Sequence, residues 1–113
     1  MISVLLVDDH PVVIEGLRKV LATAGDITIA GEAHDAAGAI EQAKALKPDV
    51  ILLDLRMPGA SGVQATRRLR EQDIRSAVII LTSYGDQAYV RQALEAGADS
   101  YLLKTTPPDQ LIT

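Results

Sequence analysis

Four short, uninterrupted apolar runs organise this chain: Val4 to Val7, Val50 to Leu53, Val78 to Leu81, and a weaker one from Tyr101 to Leu103. A strand buried on one face alternates apolar and polar residues, whereas a strand covered on both faces reads as a continuous apolar run. A fifth stretch, Ile27 to Ala33, is more mixed and fits an edge strand. The segments between the runs have helical periodicity. Pro11 suits a first helical turn, and Val13, Leu17, Val20 and Leu21 form one stripe after it. The next helix is expected from Ala36 to Leu46, with Asp35 as N-cap and Ile40, Ala43 and Leu46 inward. A third follows Gly62, with Val63, Thr66 and Leu69 buried and Arg67, Arg68 and Arg70 as a solvated face. A fourth follows Asp86, burying Val90 and Leu94 and ending at Gly97. Alternating strand and helix makes this an α/β fold: a doubly wound, five-stranded parallel sheet with helices on both faces.

A length of 113 residues suits a single domain, and 48% apolar residues against 23% charged ones supply a core. That core is aliphatic, since Phe and Trp are absent. With no Cys there is neither a disulfide nor a thiolate metal site. Eleven basic and fifteen acidic side chains give a formal charge of −4, the wrong sign for gripping a phosphate backbone. No run approaches the roughly 18 apolar residues of a membrane span. Direct nucleic-acid binding and membrane insertion are therefore not expected, and a cytoplasmic location is. PPDQLIT, with Asp109 near its start, opens what reads as another helix, and the chain ends at Thr113 after about one turn. A truncated final helix is the expectation. Without it, apolar surface around Leu17 and Leu102 would be exposed and favour self-association.

In an open parallel sheet the ligand site lies beyond the carboxyl ends of the strands. The residues there are Asp8 and Asp9 after the first run, Asp54 after the third strand, Thr82 and Ser83 after the fourth and Lys104 after the fifth. Three carboxylates held together repel unless a cation compensates, and oxygen donors with room for water suit Mg²⁺. A lysine and a hydroxyl opposite would balance a phosphoryl group on an acidic side chain. Taken singly, each residue has a plainer role: Asp8 or Asp9 caps a helix, Thr82 ends a strand, Tyr101 packs, Met57 to Gly59 form a turn. His10 and His34 read as solvent-facing or locally bonded loop residues, with no second His or Cys to make them ligands.

The motifs VDDHP at 7 to 11, LLDLRMPGASG at 52 to 62, LTS at 81 to 83 and YLLK at 101 to 104 resemble the receiver domain of bacterial two-component response regulators. DDHP and the KTTPPDQL tail are most similar to the NarL/FixJ type. The resemblance spans nearly the whole chain and implies the flavodoxin-like strand order 2-1-3-4-5. It implies that Asp54 accepts a phosphoryl group from a histidine kinase. It further implies that Asp9, Asp54 and the main-chain carbonyl of Arg56 bind Mg²⁺, with Asp8 holding a metal-bound water. Lys104 would contact the phosphoryl oxygens, while Thr82 moves toward them and lets Tyr101 turn inward. Activation would bring homodimerisation, and a helix-turn-helix output domain would follow residue 113 in the parent protein and control transcription.

Two departures from the family stand out. Thr105 follows Lys104 where a proline is common, and the bulky Arg56 and Tyr84 flank the expected path of the hydrolytic water. A domain of this kind is a switch rather than an enzyme, with at most slow self-catalysed phosphorylation and dephosphorylation. The alternatives are a receiver that binds partners without phosphorylation, a Mg²⁺-dependent phosphatase, and a nucleotide or flavin binder. A phosphatase of this type usually carries an acid or base two residues beyond its nucleophile. Here that position holds Arg56 after Asp54 and His10 after Asp8. No glycine-rich phosphate loop supports nucleotide binding.

Overall fold

A computed structural model describes residues 1–57, 61–82 and 87–103. Its elements alternate along the chain: β1 (Ile2–Val7), α1 (Pro11–Ala22), β2 (Ile27–Ala33), α2 (Ala36–Leu46), β3 (Val50–Asp54), α3 (Gly62–Glu71), β4 (Ala77–Thr82), α4 (Gln87–Ala96) and β5 (Ser100–Leu103). The five strands are parallel in the order β2-β1-β3-β4-β5. This is the expected architecture, with the mixed strand β2 at an edge. Asp86, Asp109 and the segment 107–113 lie outside the described residues.

The continuous apolar runs are explained by two core layers. Side chains alternate across a strand, so Leu5, Val7, Ile51, Leu53, Val78 and Ile80 face α2, α3 and α4. Val4, Leu6, Leu52 and Leu81 face Ile14, Leu17 and Leu21 of α1. Both sides of the central strands are thus covered, and Leu5, Leu6, Ile51, Leu53 and Ile80 are fully enclosed.

Helix ends follow local chemistry. Pro11 occupies the first turn of α1, where its missing N–H costs nothing. Asp35 caps α2 by accepting from the Gly38 N–H at 2.7 Å. Ser61 and Gln64 form a reciprocal capping box at the start of α3. Gly97, at φ +119°, ends α4 in a conformation that favours glycine.

Four expectations need correction. The buried row of α1 runs through Ile14, Leu17 and Leu21, with Val13 and Val20 only half-buried, because a stripe at i, i+3 and i+7 centres on Ile14. Leu17 is therefore buried rather than part of an exposed apolar patch, and Leu102 is half-buried against the same layer. In α2 the buried contacts come from Ala36, Ala39 and Ala43, small residues that let the helix lie close to the sheet. Ile40 packs at the margin and Leu46 is exposed. In α4, Val90 and Ala93 are buried and Leu94 is exposed.

The fourth correction concerns Arg70, which is no part of a solvated face. Its Nε donates to the Gly97 carbonyl at 3.0 Å, and its Nη1 donates to the carbonyls of Ile74 and Ser76 at 2.8 and 2.9 Å. Its Nη2 donates to Asp99 Oδ2 at 3.0 Å. A helix surface residue thereby ties the end of α3 to β4 and to the turn after α4.

Candidate functional site

Parallel strands all end on the same side, so their last residues converge there. Asp8 continues β1, its N–H donating to the Ala33 carbonyl at 3.1 Å, and its side chain is fully buried. Asp54 is the last residue of β3, is 2% exposed, and pairs in register with Leu81 of β4. Asp9 is half-buried beside them. One ligand atom from each of Asp8, Asp9, His10 and Asp54 lies within 4.8 Å of the others.

The backbone orients these acids. Asp8 Oδ1 accepts from the His10 N–H at 2.9 Å, and Asp54 Oδ1 accepts from the Arg56 N–H at 3.3 Å. Each carboxylate thus turns back over its own loop. Gly62 opens α3 hard against this corner. Its N–H donates to the Leu55 carbonyl at 2.6 Å, and an added Cβ would lie 2.8 Å from the Asp54 carbonyl oxygen. The Thr66 hydroxyl, fully buried one turn on, donates to the Gly62 carbonyl at 2.7 Å.

Of the expected site residues, the structure brings Asp8, Asp9 and Asp54 together. Thr82, buried at the end of β4, stands one place beyond the Leu81 partner of Asp54. Tyr101 is half exposed on β5 and pairs with Ile80, so it shares a sheet face with Thr82. The Arg56 guanidinium lies over the ring of Tyr89 in α4, 5.6 Å from its centroid. Ser83, Tyr84, Lys104 and Thr105 lie outside the described residues.

His10 joins the cluster more closely than the sequence reading allowed. Its Nδ1 lies 2.9 Å from Asp8 Oδ1, 3.1 Å from Asp9 Oδ1 and 3.9 Å from Asp54 Oδ2. The available signal was its adjacency to two acids immediately before a helix-starting proline. His34 sits at the rim, with Nδ1 3.2 Å from the Asp8 carbonyl oxygen.

Burying two carboxylates beside a third is costly without compensating positive charge. The donor set is rich in hard oxygen atoms, some buried and some open to solvent, which fits a small divalent cation that keeps several waters. The arrangement can therefore hold a metal beside a carboxylate that remains able to react.

Fold and site together define a receiver. Residues 4–113 match the response regulator receiver domain family, and the chain belongs to that family. Among relatives, it is 40% identical over 110 residues to the nitrate/nitrite response regulator protein NarL of Escherichia coli K12, covering 97% of this chain and 51% of that protein. It is 43% identical over 110 residues to the transcriptional regulatory protein YhcZ of Bacillus subtilis, covering 97% and 51%. The solved receiver domain of the response regulator NarL from Mycobacterium tuberculosis superposes with a TM-score of 0.92 at 38% identity, covering 98% of this chain and 90% of that one. The chain is thus a receiver of the NarL/LuxR type, and it spans about half the length of the curated relatives it matches. Among the described residues no helix is long and apolar enough to cross a membrane.

Proposed function

We propose that this receiver is a phosphorylation-operated switch of a two-component system, with Asp54 as the phospho-acceptor. The observation that carries the reading is the position of Asp54: buried at the end of the central strand β3, among carboxylates that can share a cation with it. An Asp54 carboxylate oxygen would attack the phosphorus of a phosphohistidine on a partner kinase. An O–P bond forms, the N–P bond breaks, and the leaving imidazole takes up a proton. Asp9, Asp54 and the Arg56 main-chain carbonyl would hold Mg²⁺, with Asp8 orienting a bound water. Bound there, the ion would neutralise charge on the phosphoryl oxygens.

The remaining roles rest on the family. Lys104 pairs with the phosphoryl oxygens, and the Thr82 hydroxyl donates to one of them. Drawing Thr82 toward the new charge frees space on the sheet face it shares with Tyr101, so a half-exposed ring gains an inward position. The phosphoryl group can shift such a two-state surface only through its difference in interaction energy between the states. The surface of α4 and β5 changes with it, and activation brings homodimerisation. In a full-length protein, residues 1–113 would serve as the receiver of a cytoplasmic transcription regulator with a helix-turn-helix output domain. Transcription control is supported by the likeness to YhcZ of Bacillus subtilis, a transcriptional regulatory protein.

The test is intact mass after incubation with Mg²⁺ and acetyl phosphate, beside an Asp54→Asn control. One added phosphoryl mass that needs Mg²⁺ and disappears in the control is expected. Rapid turnover of a generic phosphate ester would instead indicate a phosphatase, and no adduct in the folded protein would indicate a receiver that works without phosphorylation.

A further inference from the structure

His10 belongs to the acidic cluster, its Nδ1 within hydrogen-bonding and ion-pairing distance of Asp8 and Asp9. His10 is the N-cap residue of α1, at φ −105° and ψ 109°, yet its side chain makes no capping hydrogen bond. Imidazole is a poor substitute for the Ser, Thr, Asp or Asn that this position favours, and here the ring turns back onto the carboxylates. Its placement is fixed from both sides. The His10 N–H donates to Asp8 Oδ1 at 2.9 Å, and Pro11 sets the backbone of the next residue.

We propose that His10 Nδ1 is a further metal donor of this site and tilts its preference from Mg²⁺ toward divalent transition ions; the inference rests on the reading of the cluster as a metal site. Around an octahedral ion with bonds of about 2.1 Å, adjacent ligand atoms are about 3.0 Å apart and opposite ones about 4.2 Å. Nδ1 is 3.1 Å from Asp9 Oδ1, the spacing of adjacent ligands, and 2.9 Å from Asp8 Oδ1, a hydrogen-bond distance that a bound ion would replace. Its 3.9 Å separation from Asp54 Oδ2 falls between the adjacent and opposite values. One ion can therefore be shared by Nδ1, Asp9 and Asp54, with Asp8 kept as the residue that orients a bound water.

The chemistry sets the direction of the preference. Carboxylate and carbonyl oxygens suit Mg²⁺, which gains little from imidazole, whereas nitrogen donors favour Co²⁺ and the ions after it in the first-row series. To bind, Nδ1 must present its lone pair, so the ring proton resides on Nε2. The His10 side chain is 60% exposed, which leaves water able to accept from that proton.

The test compares Co²⁺ and Mg²⁺ binding by calorimetry in this chain and in His10→Ala. His10→Ala is expected to weaken Co²⁺ about tenfold and Mg²⁺ several-fold less than that, and an unchanged circular dichroism spectrum shows that the variant is folded. The Co²⁺ complex should also display a strongly shifted, exchangeable imidazole N–H resonance that is lost in His10→Ala. Unchanged or tighter Co²⁺ binding in the variant, or survival of that resonance, overturns the proposal. If neither ion binds the parent chain, and Asp9→Asn makes no difference, the metal-site reading fails and takes this inference with it.

Discussion

Replacing Arg70 with alanine should damage this fold far more than its place among three exposed-looking arginines suggests. Its side chain is 26% exposed, and its guanidinium donates to the carbonyls of Gly97, Ile74 and Ser76 as well as to Asp99. Asp99 Oδ2 in turn accepts from the Val78 N–H at 2.8 Å, so the group closes a network between β4 and β5. A hydrogen bond from a charged donor contributes roughly 1.5 to 3 kcal/mol, but the contributions do not simply add. The freed carbonyls can partly rehydrate, and the exposed partner Asp99 gains less than about 1 kcal/mol from the ion pair. Arg70→Ala should therefore cost about 2 to 4 kcal/mol, lowering Tm by about 10 °C or more. Arg67→Ala and Arg68→Ala should stay within about 0.5 kcal/mol of the parent. Arg70→Lys should recover little, because a single ammonium cannot reproduce the planar fork. The geometry adds a coupling: a Cβ on Gly97 would lie 2.7 Å from Arg70 Cγ. Gly97→Ala should accordingly cost less in the Arg70→Ala background, where only its backbone strain persists. Urea unfolding followed by circular dichroism measures all six variants, the Gly97→Ala/Arg70→Ala double variant included. If Arg70→Ala matches Arg68→Ala within about 0.5 kcal/mol, the network does not hold these elements together.

Two further outcomes follow from the same structure. Gly62→Ala places a Cβ 2.8 Å from both the Asp54 carbonyl oxygen and Leu55 Cα; because both are backbone atoms, α3 must shift. A loss of about 1 to 3 kcal/mol and several-fold slower modification of Asp54 by acetyl phosphate are expected, and an unchanged rate would show that this corner does not position the acceptor. At the opposite end of the sheet, the Ser3 N–H and then the Ser3 hydroxyl hold the Asp49 carboxyl below its ordinary value. A carboxyl depressed on folding stabilises the protein above the unfolded value, near pH 3.9, and loses that contribution as pH falls through the folded value. The stability gap between the parent and Asp49→Asn should therefore narrow below about pH 3.9. Curves that remain parallel down to pH 3 would contradict it.

Much of the fold was legible because its strongest signal is local. Runs such as Val50 to Leu53 sit between two helix layers and carry no polar position, and Asp35 and Gly97 mark helix ends by chemistry intrinsic to those residues. Asp8, Asp9 and Asp54 were legible as a group because parallel strands end together. Arg70 was not, since three arginines in four residues look alike until Gly97, Ile74 and Ser76 supply carbonyls to just one of them. Leu94 misled for a related reason: a four-residue step from Val90 is helical spacing, but the neighbouring layer takes Ala93 instead. His10 depended on a ring direction, toward the carboxylates rather than toward the helix N–H groups, that no spacing encodes.

The central claim is that one carboxylate among the three is the acceptor, and trapping decides it directly. The chain is incubated with Mg²⁺ and acetyl phosphate and then reduced with borohydride, which converts an aspartyl phosphate to homoserine; peptide sequencing by mass spectrometry locates the product. Homoserine at position 54 alone is the expected result. Homoserine at position 8 or 9, or none anywhere in the folded protein, would contradict the assignment of Asp54 as the residue that carries the signal.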